Sequence, residues 1–182
     1  MINELYTELP PTDSCARPDA VQMEPGEYKL SPAHYGNFLA HKTAIEKHLN
    51  DEYDGIIFCE CDAILIESYE KVYKIILDRF DDMRYNNMKI MNMAKRILGQ
   101  PHTEFNDYLG TTNRMSEAHF YMIPTYEKDF FVQQLNNTGW DTFDLWLNNN
   151  VMWHGHGCIL KEPISIQCSG DSYLDKNYKD GT

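Results

Sequence analysis

The segment from Asp54 to Leu65 does most to limit what this chain can fold into. Asp54 and Gly55 give a turn signal, and Ile56, Ile57 and Phe58 follow as a short apolar run. β-branched and aromatic residues between turn signals read as a buried strand, and the unbroken apolarity favours parallel neighbours. Glu60 and Asp62 then stand where that strand must end. Open α/β sheets collect their ligands at the carboxyl ends of parallel strands. Carboxylate oxygens suit hard divalent ions, and such ions hold phosphates. A metal–diphosphate site is therefore one reading of the pair, and a solvated acidic turn is the other. Cys59 and Cys61 flank Glu60 and should face away from it. Their spacing suits zinc, but no second cysteine pair completes a four-ligand set, so they read as small buried residues.

A chain of 182 residues accommodates one domain with a real core. Its 42% hydrophobic and 13% aromatic content argues against disorder. The net charge of −12, from 28 acidic against 16 basic residues, disfavours nucleic acid and anionic membranes as partners. Five cysteines without a regular framework fit a reducing compartment. No apolar run approaches the ~20 residues of a membrane span, and the amino terminus shows no signal pattern. These features predict a soluble, cytoplasmic protein.

Residues 1–32 hold Pro10, Pro11, Pro18, Pro25 and Pro32, a density that predicts an extended arm. Ala33 to Leu49 turns helical, with Phe38, His41, Ile45, His48 and Leu49 on one face. His41 there reads first as a satisfied core histidine. The acidic turn is followed by a helix from Ile66 to Phe80, with Tyr69, Val72, Tyr73, Ile76, Leu77 and Phe80 as its apolar stripe. Residues 81–87 read as a polar turn, 88–93 as a strand and 95–117 as a long loop. Ala118 to Pro124 is a second strand, Thr125 caps a helix to about Leu135, and Trp140 to Leu147 forms a short helix. Strands over 159–160 and 164–167 precede a frayed tail, 176–182. Alternating strands and helices predict an α/β domain over 33–175 with a mixed, mainly parallel sheet flanked by helices.

The residues able to carry chemistry are Glu60 and Asp62, Asp141 and Asp144 (three apart on one helix side), and His154 and His156. The two histidines alternate around Gly155 and lack a complete zinc set. One of them joining Asp62 on a shared metal is the more economical reading.

The order of these pieces resembles the GT-A glycosyltransferases, notably bacterial and viral relatives of the lipooligosaccharide and collagen galactosyltransferases. In that family a Gly-x-x-x-Ser-His helix precedes an apolar strand ending in an acidic motif. Gly36 to His41 and Phe58 to Asp62 are similar to those. A strand that re-enters the sheet, a helix bearing Asp before an apolar pair, and a Pro-x-x-x-Gln segment have counterparts in Ala118–Ile123, Asp144–Trp146 and Pro163–Gln167. Ser169 and Ser172 stand where the family has a serine-rich turn. The resemblance covers about residues 33–175.

The resemblance implies a Rossmann-like GT-A domain and transfer of a sugar from a nucleotide-sugar donor to a glycan or other hydroxyl acceptor. It implies Mn²⁺ or Mg²⁺ held by Asp62 and Glu60, with His154 or His156 completing the shell. His41 would help bind the donor, and Asp144, with Asp141 beside it, would act at the acceptor hydroxyl. It also implies a bacterial cell or a virus-infected host as the setting. The proline-rich arm stands where the family has its nucleotide-binding βαβ unit, so the expected domain is shortened at its amino terminus. A catalytically silent carbohydrate- or protein-binding module is the alternative, and a metal-dependent hydrolase is a third.

Overall fold

The computed structural model describes residues 32–50, 52–60, 62–94, 103–104, 106–111, 118–139 and 141–167. The arm over 1–31, Cys61, Trp140, Ser169, Ser172 and the tail lie outside the described residues. Among the described residues twelve principal elements follow one another. Helix α1 (Pro32–His48) leads to strands β1 (Gly55–Cys59) and β2 (Ala63–Leu65), then helix α2 (Tyr69–Tyr85) and β3 (Ile90–Asn92). Next come β4 (Thr103–Glu104), β5 (Leu109–Thr111) and β6 (Phe120–Pro124). Helices α3 (Lys128–Asn137) and α4 (Phe143–Asn150) precede β7 (Gly157–Leu160) and β8 (Ser165–Gln167).

Six strands form one sheet in the order β1-β6-β3-β7-β5-β4, and β2 pairs with β8 in a separate two-stranded sheet. Antiparallel pairs dominate: among the described neighbouring strands of this sheet, β3 and β7 alone run parallel. The expected mainly parallel sheet is therefore corrected to a mixed, mainly antiparallel one. β1 is also not central, since among the described strands it pairs with β6 alone. The reason lies in the connection. The α2 crossover sets β3 down in the same direction as β1 but one strand position away, and β6 returns antiparallel to fill the gap. An apolar run reports burial, whereas direction depends on a strand that arrives about 60 residues later. The region read as one long loop also contains β4 and β5, whose short polar sequences carry no strand periodicity.

Helices cover both faces of the sheet. On one side Phe38, Ile45, Phe131, Phe143 and Trp146 pack with Phe58, Tyr121 and Ile123. On the other Val72, Ile76 and Met83 of α2 meet Met91, Met122 and Cys158. Ser68 caps α2 by accepting from the Lys71 N–H, and Glu70 and Arg84 suit the two ends of its dipole. The helix runs five residues beyond Phe80, through the segment read as a polar turn, and stops at Asn87, which takes a positive φ of 56°. Its buried stripe is narrower than expected: Val72 and Ile76 are buried, but Tyr69 and Leu77 are half exposed.

Gly157 opens β7 where a Cβ would run into the buried Met152 thioether. Gly157→Ala should therefore destabilise the fold by about 1–3 kcal/mol, the usual range for overpacking. An unchanged denaturant midpoint would show that Met152 moves aside freely.

Candidate functional site

β1, β3 and β7 share one direction, so their carboxyl ends and the amino end of β6 gather at one end of the sheet. The β1 ladder continues one step past the strand: the Glu60 N–H donates to the His119 carbonyl at 2.9 Å. The Ala63 N–H then turns back to the Glu60 carbonyl at 3.1 Å, which sets Asp62 in a tight turn. The small β2–β8 sheet adjoins this end, because the Ile164 N–H reaches the Met93 carbonyl and Ser165 bridges Ala94.

Glu60 is held by α1. Its Oε1 accepts from His41 Nε2 at 2.9 Å and from Asn37 Nδ2 at 3.1 Å. His41 Nδ1 lies 2.8 Å from the Tyr121 hydroxyl. The His41 ring also stacks on Phe143, with centroids 4.0 Å apart and planes 3° from parallel. Burial alone would push the Glu60 carboxyl up. The hydrogen bond and charge of His41, with Asn37 behind them, outweigh it and hold the group below the ordinary carboxylate range. Burial, then the charges of Glu60 and Asp144, push the Tyr121 phenol well up and keep it un-ionised.

Glu60→Gln tests this network. The amide keeps the shape and loses the charge, so stability should fall by about 1 kcal/mol at neutral pH, the gap between charged and neutral hydrogen bonds. A depressed carboxyl stabilises the fold above its unfolded value of about 4.5. The gap between variant and wild type should therefore close as pH falls below that value and through the lower folded pKa. A gap that stays constant from pH 7 to pH 3 would contradict the assignment.

Asp144, in the first turn of α4, accepts from the Ala118 N–H through Oδ1 at 2.9 Å. It thus anchors the entry to β6, one residue before His119. His119 is 1% exposed, and neither of its ring nitrogens has a hydrogen-bond partner. Burial holds its imidazole below the ordinary value, although the nearby charges of Glu60 and Asp62 pull upward. Asn92 Nδ2 and Ser165 Oγ, also at this end, are buried polar atoms without partners.

The fold thus brings together Glu60, Asp62, His41 and Asp144 of the residues picked out from sequence. Asp141 serves locally, accepting from the Thr142 N–H at 2.7 Å before α4. His154 and His156 belong elsewhere. Gly157 is level with Ile90 and Ile56 across the sheet, so His156 precedes the far end of β7. It lies five residue levels from Glu60, roughly 16 Å along the strands, and three strands away. The expected metal shell joining either histidine to Asp62 is corrected accordingly. Nothing in the sequence could place them, because the separation follows from strand direction. There His156 sits edge-on to Phe130, and burial, Lys89 and His154 hold its pKa down. Sequence reading missed His119 and Tyr121. Both lie in an apolar strand pattern, and only the antiparallel pairing sets them beside the acidic turn.

Among the described residues no three His, Cys, Asp or Glu side chains form a preformed metal cage, and no helix is long and apolar enough to cross a membrane. Comparison of the sequence with models of known protein families and with curated proteins found no match.

Proposed function

We propose that the chain is a metal-dependent glycosyltransferase, moving a sugar from a nucleotide-sugar donor to a hydroxyl of a glycan or other acceptor. The observation that supports this reading is the convergence of Glu60 and Asp62, from the turn after β1, with Asp144, from α4, at one end of the sheet around β6. The re-entering strand that the family resemblance implies corresponds to β6, inserted between β1 and β3.

The donor set fits a divalent ion of the Mg²⁺ or Mn²⁺ type. Mg²⁺ is ordinarily held by one or two carboxylates together with substrate phosphates, not by an all-protein cage. Asp62 would hold the ion, with Glu60 beside it. When bound, the ion supplies positive charge that stabilises the departing nucleotide diphosphate. The chain's own residues do the rest. Asn37 and His41 fix the Glu60 carboxylate, Tyr121 fixes His41, and Phe143 stacks over the imidazole to exclude water. Asp144 orients the acceptor hydroxyl or takes its proton.

A second reading, a silent binding module on the same scaffold, is favoured by one feature. Glu60 and Asp144 both carry hydrogen bonds that hold the fold without any substrate. Thermal unfolding with Mn²⁺ and a panel of nucleoside diphosphates, in wild type and Asp62→Ala, separates the two. The transferase reading expects a metal-dependent rise with one nucleotide, lost in the variant. At a ligand concentration 100 times Kd it is worth about 2.7 kcal/mol. Turnover of the matching nucleotide sugar should depend on an added acceptor. A folded protein with no shift for any nucleotide would leave the silent module.

A further inference from the structure

Helix α2 presents two unlike faces. Val72, Ile76 and Met83 are buried in the core against the sheet. On the opposite side Glu70, Lys74, Leu77, Asp81 and Arg84 are all exposed. Steps of four, three, four and three residues keep these five side chains in one stripe along the helix. Leu77 stands at its centre, 50% exposed, and Tyr69 and Tyr85 flank its two ends, 49% and 91% exposed. A helix face that meets water alone carries polar residues at such places. Among the described residues, none of the four charged members of the stripe forms an ion pair. The pairs that α2 does make, Lys71 with Glu67 and Arg79 with Asp82, use other residues.

The order of charge along the stripe decides what fits it. From the amino end it runs acid, base, leucine, acid, base. Turned end over end about Leu77, Glu70 falls on Arg84 and Lys74 falls on Asp81. Glu70 and Arg84 each lie about 10 Å along the helix from Leu77, and Lys74 and Asp81 about 5–6 Å. The stripe is therefore complementary to a second copy of itself laid antiparallel across it. A patch that is its own complement is what a two-fold dimer requires. Laid parallel, each charge would meet its like.

We propose that α2 is a dimer interface of this chain, two copies packing antiparallel about a two-fold axis at Leu77. Glu70 pairs with Arg84 of the partner subunit and Lys74 with Asp81 of the partner subunit, so each pair occurs twice. Tyr69 of one copy and Tyr85 of the other cover the ends of the seam. A helix of 17 residues is about 25 Å long and 10 Å wide. That is well below the ~800 Å² per partner of a standard interface, so the dimer is a weak one in the micromolar range. It does not depend on the function proposed above.

Sedimentation velocity of the full chain over about 2–200 µM, the range that brackets such a dissociation constant, tests the proposal. Wild type is expected to pass from monomer to dimer. Lys74→Glu sets like charges against Asp81 at two symmetric places and should weaken the dimer about tenfold or more. Leu77→Lys should leave a monomer. Combining Lys74→Glu with Asp81→Lys restores both pairs with their signs exchanged and should return the dimer, a rescue that misfolding cannot imitate. A wild-type chain still monomeric at the top of the range overturns the proposal, whether residues 1–31 or a different protein then cover the helix. A dimer indifferent to both Lys74→Glu and Leu77→Lys overturns it as well, because its interface lies elsewhere. A double variant that associates no better than Lys74→Glu overturns the antiparallel pairing.

Discussion

Replacing Trp146 by alanine should lower the unfolding free energy by about 3–5 kcal/mol, the usual cost of emptying a buried aromatic site. The indole is 1% exposed in the centre of the helical layer. It stacks on Phe143 with centroids 5.8 Å apart and planes 12° from parallel, and meets Phe38 edge-on at 6.1 Å. Its Nε1–H donates to the Thr138 hydroxyl at 2.8 Å, which itself donates to the Gln134 carbonyl at 2.7 Å. One side chain thereby ties α1, α3 and α4 together. Domains of this size are stable by only about 5–15 kcal/mol, so a loss of this order is a large share. Denaturant unfolding should show the midpoint falling at unchanged slope. Trp146→Phe keeps most of the packing and gives up the hydrogen bond, at about 1 kcal/mol. If the two variants were equally destabilised, packing would not be the main contribution. Phe143 also stacks on His41, so the alanine variant should weaken the Mn²⁺ and nucleotide response as well.

The second large effect is expected at the other end of the sheet. Lys89 Nζ lies 2.6 Å from Glu127 Oε2, with side chains 13% and 8% exposed. The ammonium also sits 4.6 Å above the Phe130 ring. Removing one partner of a buried pair strands the other charge, and such losses run to about 3–5 kcal/mol. Glu127→Ala should therefore be strongly destabilising, while the double change Lys89→Met with Glu127→Leu should recover most of the loss. A single-variant cost below about 1 kcal/mol would mean that water already solvates the pair. Since Lys89 and Glu127 lie beside β3 and β6 at the ends away from Glu60, the double variant should bind Mn²⁺ as wild type does. That makes it a control for stability effects at the acidic end.

Much of the local structure was legible before any contact was known. Phe38, His41 and Ile45 share a buried face of α1, Leu49 is buried just past its end, and His48, expected on the same face, is only partly covered. The run Ile56 to Phe58 forms β1, and Ala118 to Pro124 contains β6. These features depend on neighbours within a few residues, which is the range over which a sequence pattern carries information. β2, β4 and β5 escaped notice because they are two or three residues long and are strands only by virtue of a partner.

The candidate site divides along the same line. The sequence by itself determined that an apolar strand ends in Glu60 and Asp62, and that His41 lies on the buried face of the preceding helix. The tertiary structure alone decided which residues meet them. Antiparallel return of β6 brings His119 and Tyr121 to the acidic turn, and the Ala118 contact brings Asp144. The shared direction of β1 and β7 sends His154 and His156 to the far end of the sheet. The physical reason is that periodicity fixes which face a side chain takes, whereas strand order and direction fix which residues share an end. Those are set by pairings between residues some 30 to 100 positions apart, and composition and local spacing do not record them.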